Sequence, residues 1–283
     1  MKQKLDTRAI GLDVGLAFIK WLTGKENLHY GLWTGLDVSA GNLRAAQEAY
    51  TDKLFALLPE GPLRILDIGG GAGETAGKLL ALGHSVEIVV PSAFLAGRCR
   101  ENAPGAQVHQ MRFEEFESDA KFDLCLFSES FQYIPLSESL PKCAGLLKPG
   151  GHLVLADCFR SEDFGKRDHS IVGGGHGIAE YRSAVRDSAF EPLSEEDVTT
   201  AVAPSVDLEQ ELFNVFGLAI TRIDDELSAK RPRVRWLANR AWRLLVSARR
   251  RERLTRRLTE RTRTADVFIA NNVYLMAKLR LTD

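Results

Sequence analysis

The sequence predicts an α/β fold of the doubly wound kind, a largely parallel sheet with helices on both faces. Two observations carry the prediction. Between residues 64 and 157, apolar runs of strand length alternate with helix-length segments, the order that builds a parallel sheet. The first run, Arg64-Ile65-Leu66-Asp67-Ile68, is apolar at consecutive positions, as a strand buried on both faces must be, and it turns through Gly69, Gly70, Gly71 and Gly73 into a helix opening at Glu74. At 283 residues and 45% hydrophobic content the chain can bury a large core, which favours one domain with elaborations.

In chain order, residues 1 to 28 read as an amphipathic helix over Ile10, Val14, Ala17, Phe18 and Trp21, leading into Leu28-His29-Tyr30-Gly31-Leu32-Trp33. A second helix spans about 42 to 58. Strands are expected at 64–68, 85–90, 107–112, 123–128 and 152–157, with helices at 74–82, 92–102 and 136–147 between them. Ligands of such a sheet gather at the carboxyl ends of its strands. A glycine-rich stretch, Gly173-Gly174-Gly175-His176-Gly177, then precedes a helix near 178–189, an acidic stretch, a basic helix and a last strand at 272–281. The expected division is a helical cap at 1–58, a ligand-binding core at 59–160, a lid and helical insertion at 161–265, and a closing strand at 266–283.

The glycine corner selects among ligands. A dinucleotide fingerprint places a third glycine three residues after Gly71, where this chain has Glu74, and a carboxylate in the first helical turn repels a phosphate. A cationic ligand without phosphates fits better. The run Asp67-x-Gly69-x-Gly71-x-Gly73 resembles the first motif of the class I S-adenosylmethionine-dependent methyltransferases, and Leu146-Leu147-Lys148-Pro149-Gly150-Gly151-His152-Leu153-Val154-Leu155 is similar to their helix end, Pro-Gly-Gly turn and fifth strand. The resemblance extends over about residues 28 to 204. It implies their Rossmann-like sheet, here with an N-terminal helical cap and a C-terminal helical insertion, and S-adenosyl-L-methionine as cofactor, with Asp67, Gly69, Gly71 and Gly73 cradling it.

The same resemblance assigns further residues. Tyr30, in a His-Tyr-Gly-x-Trp-like segment, would close over the cofactor, where an aromatic face attracts a sulfonium by about 0.5–2 kcal/mol. Glu129-Ser130, after the fourth strand, resembles the C-methyltransferases of prenyl diphosphates, tocopherols and sterols. Glu129 is thereby the first candidate for the catalytic acid or base and also borders the cofactor, with Tyr133 beside it in the catalytic set as a substrate or cation contact. His176 falls where the family has a mobile substrate lid and is a candidate base. Phe113 would pack on the adenine. In two places the chain departs from the family. Val90 stands where an acid usually grips the ribose, so that Ser92 or a backbone group must do so, and Arg112 replaces a frequent aspartate beside the adenine. The segment 189–204 is similar to tocopherol-type and sterol-type enzymes, with Ala189 where they carry glycine.

Cys99, Cys125, Cys143 and Cys158 show neither C-x-x-C spacing nor a zinc-binding cluster, and they read as reduced residues of a cytoplasmic protein. No signal-peptide or membrane-spanning run is evident. The net charge of −1 hides an asymmetry: from Lys230 to Arg263 there are fourteen Lys/Arg against two Glu, an excess of +12, leaving −13 for the remainder. Along 234–249, Val234, Leu237, Ala238, Ala241, Leu244, Leu245 and Ala248 share one helical face opposite Arg235, Asn239, Arg240, Arg243 and Ser247. Such a helix suits an anionic membrane surface or a phosphate-bearing substrate, or else packs on the core with a solvated basic face. Nucleic acid is disfavoured, because the rest of the chain is acidic.

The expectation is therefore an S-adenosylmethionine-dependent methyltransferase acting on carbon or oxygen of a lipophilic small molecule, an isoprenoid or other secondary metabolite. The alternative is a transferase-inactive relative serving a membrane-associated pathway.

Overall fold

The computed structural model describes residues 7–166, 172–260 and 262–282, with the side chains of the first helix described from residue 13 onward. Helix α1 (Thr7–Thr23) and α2 (Leu43–Phe55) precede the sheet. Then follow β1 (Arg64–Ile68), α3 (Glu74–Ala81), β2 (Ser85–Val89), α4 (Ala93–Asn102), β3 (Gln107–His109), β4 (Phe122–Ser128), α5 (Leu136–Leu146) and β5 (Leu147–Arg160). The chain continues through α6 (Ile178–Arg186), β6 (Phe190–Asp197), α7 (Thr199–Val202), α8 (Pro204–Lys230), α9 (Pro232–Leu245), α10 (Ala248–Thr259), α11 (Ala265–Asn271) and β7 (Asn272–Leu281).

These strands form one seven-stranded sheet in the order β3-β2-β1-β4-β5-β7-β6. The first five are parallel, while β7 runs antiparallel to both β5 and β6. Because the order reverses beside β1, a crevice opens at the carboxyl ends of β1 and β4, the switch point where such sheets bind ligands. Antiparallel β7 begins where the parallel strands end, so its first residues reach the same crevice, with Tyr274 opposite Cys158. Apolar cores lie on both faces, one including Ile65, Ile88, Leu124 and Val154, the other Leu66, Phe127, Leu153 and Leu275, so successive residues of β1 and β5 serve opposite layers. The Pro149-Gly150-Gly151 turn interrupts the ladder: Phe122 pairs with Leu147, and regular pairing resumes only at Leu124 with His152.

Three expectations needed correction. In α1, Val14, Ala17 and Trp21 are exposed, while Leu16 and Thr23 are buried and Ile19 and Leu22 pack against the core around Trp33; Ile10 lies outside the described side chains. Apolar residues occur all round this helix, and the neighbouring elements decide which stripe is covered. The acidic stretch at 190–197 is a strand, β6, at the sheet's edge, where exposed charge keeps the edge from pairing with another chain. The basic segment forms two helices, broken at Val246-Ser247, and follows a long α8. Helices α8 and α10 cross at Gly217, where a β-carbon would stand 1.9 Å from the Leu258 carbonyl oxygen. Cys99, Cys125, Cys143 and Cys158 are all buried and unpaired, and no helix of the described residues is long and apolar enough to cross a membrane.

Candidate active site

The corner after β1 is shaped by glycine. Gly69 has φ +75°, and a β-carbon there would lie 2.4 Å from that of Ser130. The Ser130 hydroxyl donates to the Ile68 carbonyl, so the loop after β4 is drawn against the corner. Gly71 has φ +54°, and a β-carbon there would enter open space, meeting only Leu28 Cδ1 at 3.9 Å. Behind them Asp67 is buried; its Oδ2 has no hydrogen-bond partner among the described residues, and burial pushes its pKa up to about 7. An unpaired carboxylate oxygen below a cradle lacking side chains fits a ligand that brings positive charge and donors.

The N-terminal segment clasps this corner. Glu26 is buried among Lys20 (2.6 Å), Arg98 (2.6 Å) and Asn102 (2.8 Å). Burial works to raise its pKa, yet these partners hold it down to about 2. Asn102 also donates to the Ala72 carbonyl, and Glu74 accepts from the Glu26 N–H (3.0 Å) and Lys25 (3.2 Å). Beyond the clasp, Gln47 donates to the carbonyls of Asn27 and His29, and Ser205 accepts from the Gly31 N–H and the Trp33 indole. His29 Nδ1 donates to the Tyr30 carbonyl at 2.7 Å, and burial holds its pKa down to about 4. Tyr30 is thus placed by α2 and α8 from either side.

Glu129 stands at the centre. Its N–H donates to the Ala156 carbonyl, and its Oε1 accepts from the Tyr30 backbone N–H (2.7 Å) and the Tyr274 hydroxyl (2.8 Å). Tyr274 in turn meets the Tyr50 hydroxyl at 2.9 Å, and Tyr50 approaches the Ser128 hydroxyl at 3.4 Å. No described residue donates to Glu129 Oε2. Burial pushes its pKa up to about 7, against the two hydrogen bonds that favour the charged form. Beside it lies a cavity of about 460 Å³ bordered by Tyr30, Tyr133 and Tyr274, by Gln132 and Cys158, by Gly173 to Gly175, and by Arg263. Arg263 is anchored to Glu209 at 3.2 Å.

The structure thus brings Asp67, Gly69 and Gly71 together at the corner, and Tyr30, Glu129 and Tyr133 together at the cavity. Tyr133 is exposed at its mouth. Gly73, at φ +88°, caps α3 against the backbone of Cys99. Ser92 caps α4 by accepting from the Leu95 N–H, and Phe113 is buried edge-on to Phe127, so neither borders the cavity. His176 is also absent from its walls. Its Nε2 donates to the Ile134 carbonyl (2.9 Å), and a ring nitrogen carrying that proton positions the loop and cannot accept another. At the ribose side, Val90 is buried, and Glu87 is committed to Arg64 (2.6 Å) and His109 (2.8 Å).

Sequence reasoning missed Tyr274 and Asp157, and it named Arg263 only as the end of the basic segment, not as a cavity residue. Asp157 is buried on β5, accepts from the Gln132 and Cys158 N–H groups, and is pushed up to about 7 by burial. It fastens the loop that carries Glu129. No local signal marks these residues, since each gains its place from pairing across the sheet or from the helical insertion. Among the described residues no three His, Cys, Asp or Glu side chains are placed to hold a metal.

Comparison with known proteins agrees with this geometry. Residues 66–155 match the family model of a methyltransferase domain. The chain is 30% identical to 27-O-demethylrifamycin SV methyltransferase of Amycolatopsis mediterranei over 223 residues, covering 69% of this chain and 77% of that protein. Its fold is similar to that of cyclopropane synthase from Mycobacterium tuberculosis (TM-score 0.69, 15% identity, 99% and 100% of the two chains). It is also similar to geranyl diphosphate C-methyltransferase from Streptomyces coelicolor, solved with geranyl diphosphate and S-adenosyl-L-homocysteine (TM-score 0.66, 15% identity, 99% and 100%). The sheet order, the glycine corner with its unpaired Asp67 and the 30% identity over 223 residues lead to one conclusion: the chain belongs to the class I S-adenosylmethionine-dependent methyltransferases.

Proposed function

We propose that the protein transfers a methyl group to a lipophilic small molecule, an isoprenoid or other secondary metabolite, at oxygen or carbon, with Glu129 as the base. The observation that carries this reading is the Glu129 carboxylate, balanced near neutrality and fixed by Tyr30 and Tyr274 at the edge of a cavity with three tyrosines in its wall. Bound S-adenosylmethionine supplies an electrophilic methyl group on sulfur. Asp67, Gly69 and Gly71 would hold it, with Tyr30 closing over it, while the ribose falls to backbone groups or to the spare donor of Ser92.

Methyl transfer is an in-line displacement, so orientation of the two reactants supplies most of the rate. The cavity walls orient the acceptor, and the clasp from Lys20 to Glu74 holds the N-terminal segment against the corner. As the methyl–sulfur bond breaks with its electron pair left on sulfur and the acceptor takes the methyl, the acceptor molecule must lose a proton, from the methylated oxygen or from a carbon at or beside the methylated one, and Glu129 Oε2 takes it while Tyr274 and the Tyr30 N–H hold Oε1 still. Tyr133 at the mouth and Arg263 along the wall contact the acceptor. A lipophilic acceptor concentrates in membranes, and peripheral contact with an anionic surface or phosphate group through Lys230 to Arg263 belongs to the same reading.

The test is transfer of a tritiated methyl group from the cofactor to two sets of acceptors, hydroxylated isoprenoids and polyketides on one side, small polar amines and amino acids on the other. Label should enter the solvent-extractable products; label confined to polar acceptors would overturn the substrate assignment.

A further inference from the structure

Helix α9 is amphipathic, yet none of its residues is buried, and its most covered side chain, Arg235, ties it to α8 through two 2.8 Å contacts with Asp224. Its apolar arc of Val234, Leu237, Trp242, Leu244 and Leu245 faces solvent, the last two 79% and 83% exposed. The middle of α8 adds Val215, Phe216, Ile220 and Ile223, all exposed. Scattered surface apolar residues need no explanation, but nine large ones on two neighbouring helices mark a contact surface. The alternative in which the basic helix packs its apolar face on the core is thereby excluded.

Charge identifies what covers it. Of the arginines in this segment, Arg231, Arg233, Arg240, Arg243, Arg249 and Arg250 form no ion pair with any described acid, whereas Arg235, Arg256, Arg257 and Arg263 do. On the polar side of the helix Arg240 lies over the Trp236 ring at 5.4 Å. We propose that this face docks on an anionic lipid surface, with the apolar arc of α9 and the exposed stripe of α8 entering the acyl boundary and the unpaired arginines meeting the headgroups. A second copy in two-fold contact would set one +12 segment against another. Nucleic acid would match the arginines and leave the apolar arc in water. The inference rests on the proposed lipophilic acceptor for its purpose, and it names the surface that reaches it: Arg263, at the end of the same segment, lines the cavity.

The test is sedimentation of the full chain with vesicles of phosphatidylcholine, with and without phosphatidylglycerol, in the absence of cofactor and acceptor. Anionic vesicles should bind at least about tenfold more protein than neutral ones, and raised salt should release it. Leu244→Asp with Leu245→Asp, at solvent-facing positions that leave the fold alone, should abolish binding, and Arg240→Glu with Arg243→Glu should remove the preference for anionic lipid. Equal binding to both vesicles, no binding to either, or an unchanged leucine variant would overturn the proposal. So would a dimer by light scattering that the leucine variant dissolves without any vesicle binding. Methyl transfer to an acceptor dispersed without vesicles separates the two readings: failure to dock with transfer intact removes only the docking surface, and docking without transfer to lipophilic acceptors removes only the acceptor.

Discussion

Among the described residues, Glu129 is the one non-glycine residue with positive φ, at 57°. Left-handed backbone costs a side-chain-bearing residue about 1 kcal/mol, and such positions persist where surrounding contacts over-determine them. Here the contacts are its N–H to Ala156 and the two donors on Oε1. Those donors also tune its titration. Because the Tyr274 hydroxyl favours the charged carboxylate, Tyr274→Phe should move the acidic limb of the kcat profile to higher pH by on the order of one unit, with little change in cofactor affinity by calorimetry. An unshifted limb would detach Tyr274 from Glu129. Glu129 itself was legible in the sequence because it directly follows a strand end in a recognisable local pattern. Tyr274 was not, since it lies 145 residues away and antiparallel pairing of β7 with β5 is what delivers it.

At the scale of elements, the crossing of α8 and α10 depends on Gly217. A β-carbon placed 1.9 Å from the Leu258 oxygen must push the helices apart, so Gly217→Ala should destabilise the protein by about 1–3 kcal/mol, read as a lower urea midpoint. Gly97, with nothing within 4 Å of an added β-carbon and sitting inside α4, is the control: its replacement by alanine should be neutral or stabilising. The parallel strands were legible because their apolar runs are continuous, and β1, α3 and β7 fall within a residue of expectation. Strand β6 was not, because only Phe190 is buried, three of its six exposed residues are acids, and its pairing slips between Pro192 and Ser194. The amphipathic pattern of α9 was readable, but periodicity records only that an apolar face exists. That no element of the described residues covers it is information the fold alone supplies.

For the molecule as a whole, three acids are pushed up to about 7 by burial: Asp67, Glu129 and Asp157. Their folded-state pKa values exceed their unfolded ones, so between about pH 4 and 7 the native state binds more protons, and stability must fall as pH rises through that window. Two groups work oppositely: Glu26, held down to about 2, contributes stability that is lost as pH falls from 4.5 toward 2, and buried His29, held down to about 4, costs stability as pH falls from 6.5 toward 4, one group against three acids in that window. The protein without cofactor should therefore melt several degrees higher near pH 5.5 than near pH 8, and lose stability again below pH 4. A melting temperature that climbs steadily to pH 8 would show the three acids to be ionised without cost.

The same sheet that buries these acids sets Glu129 between the glycine corner and the tyrosine-walled cavity, and the measurement closest to this arrangement is the pH dependence of kcat for transfer of a labelled methyl group. The wild-type rate should rise with pH and level off above about 7, as the carboxylate ionises. Glu129→Gln keeps the shape but cannot take the proton, so its rate should be lower by about 10²–10⁴-fold and flat over the same range. A Glu129→Gln enzyme that kept the wild-type rate and the wild-type profile would contradict the account.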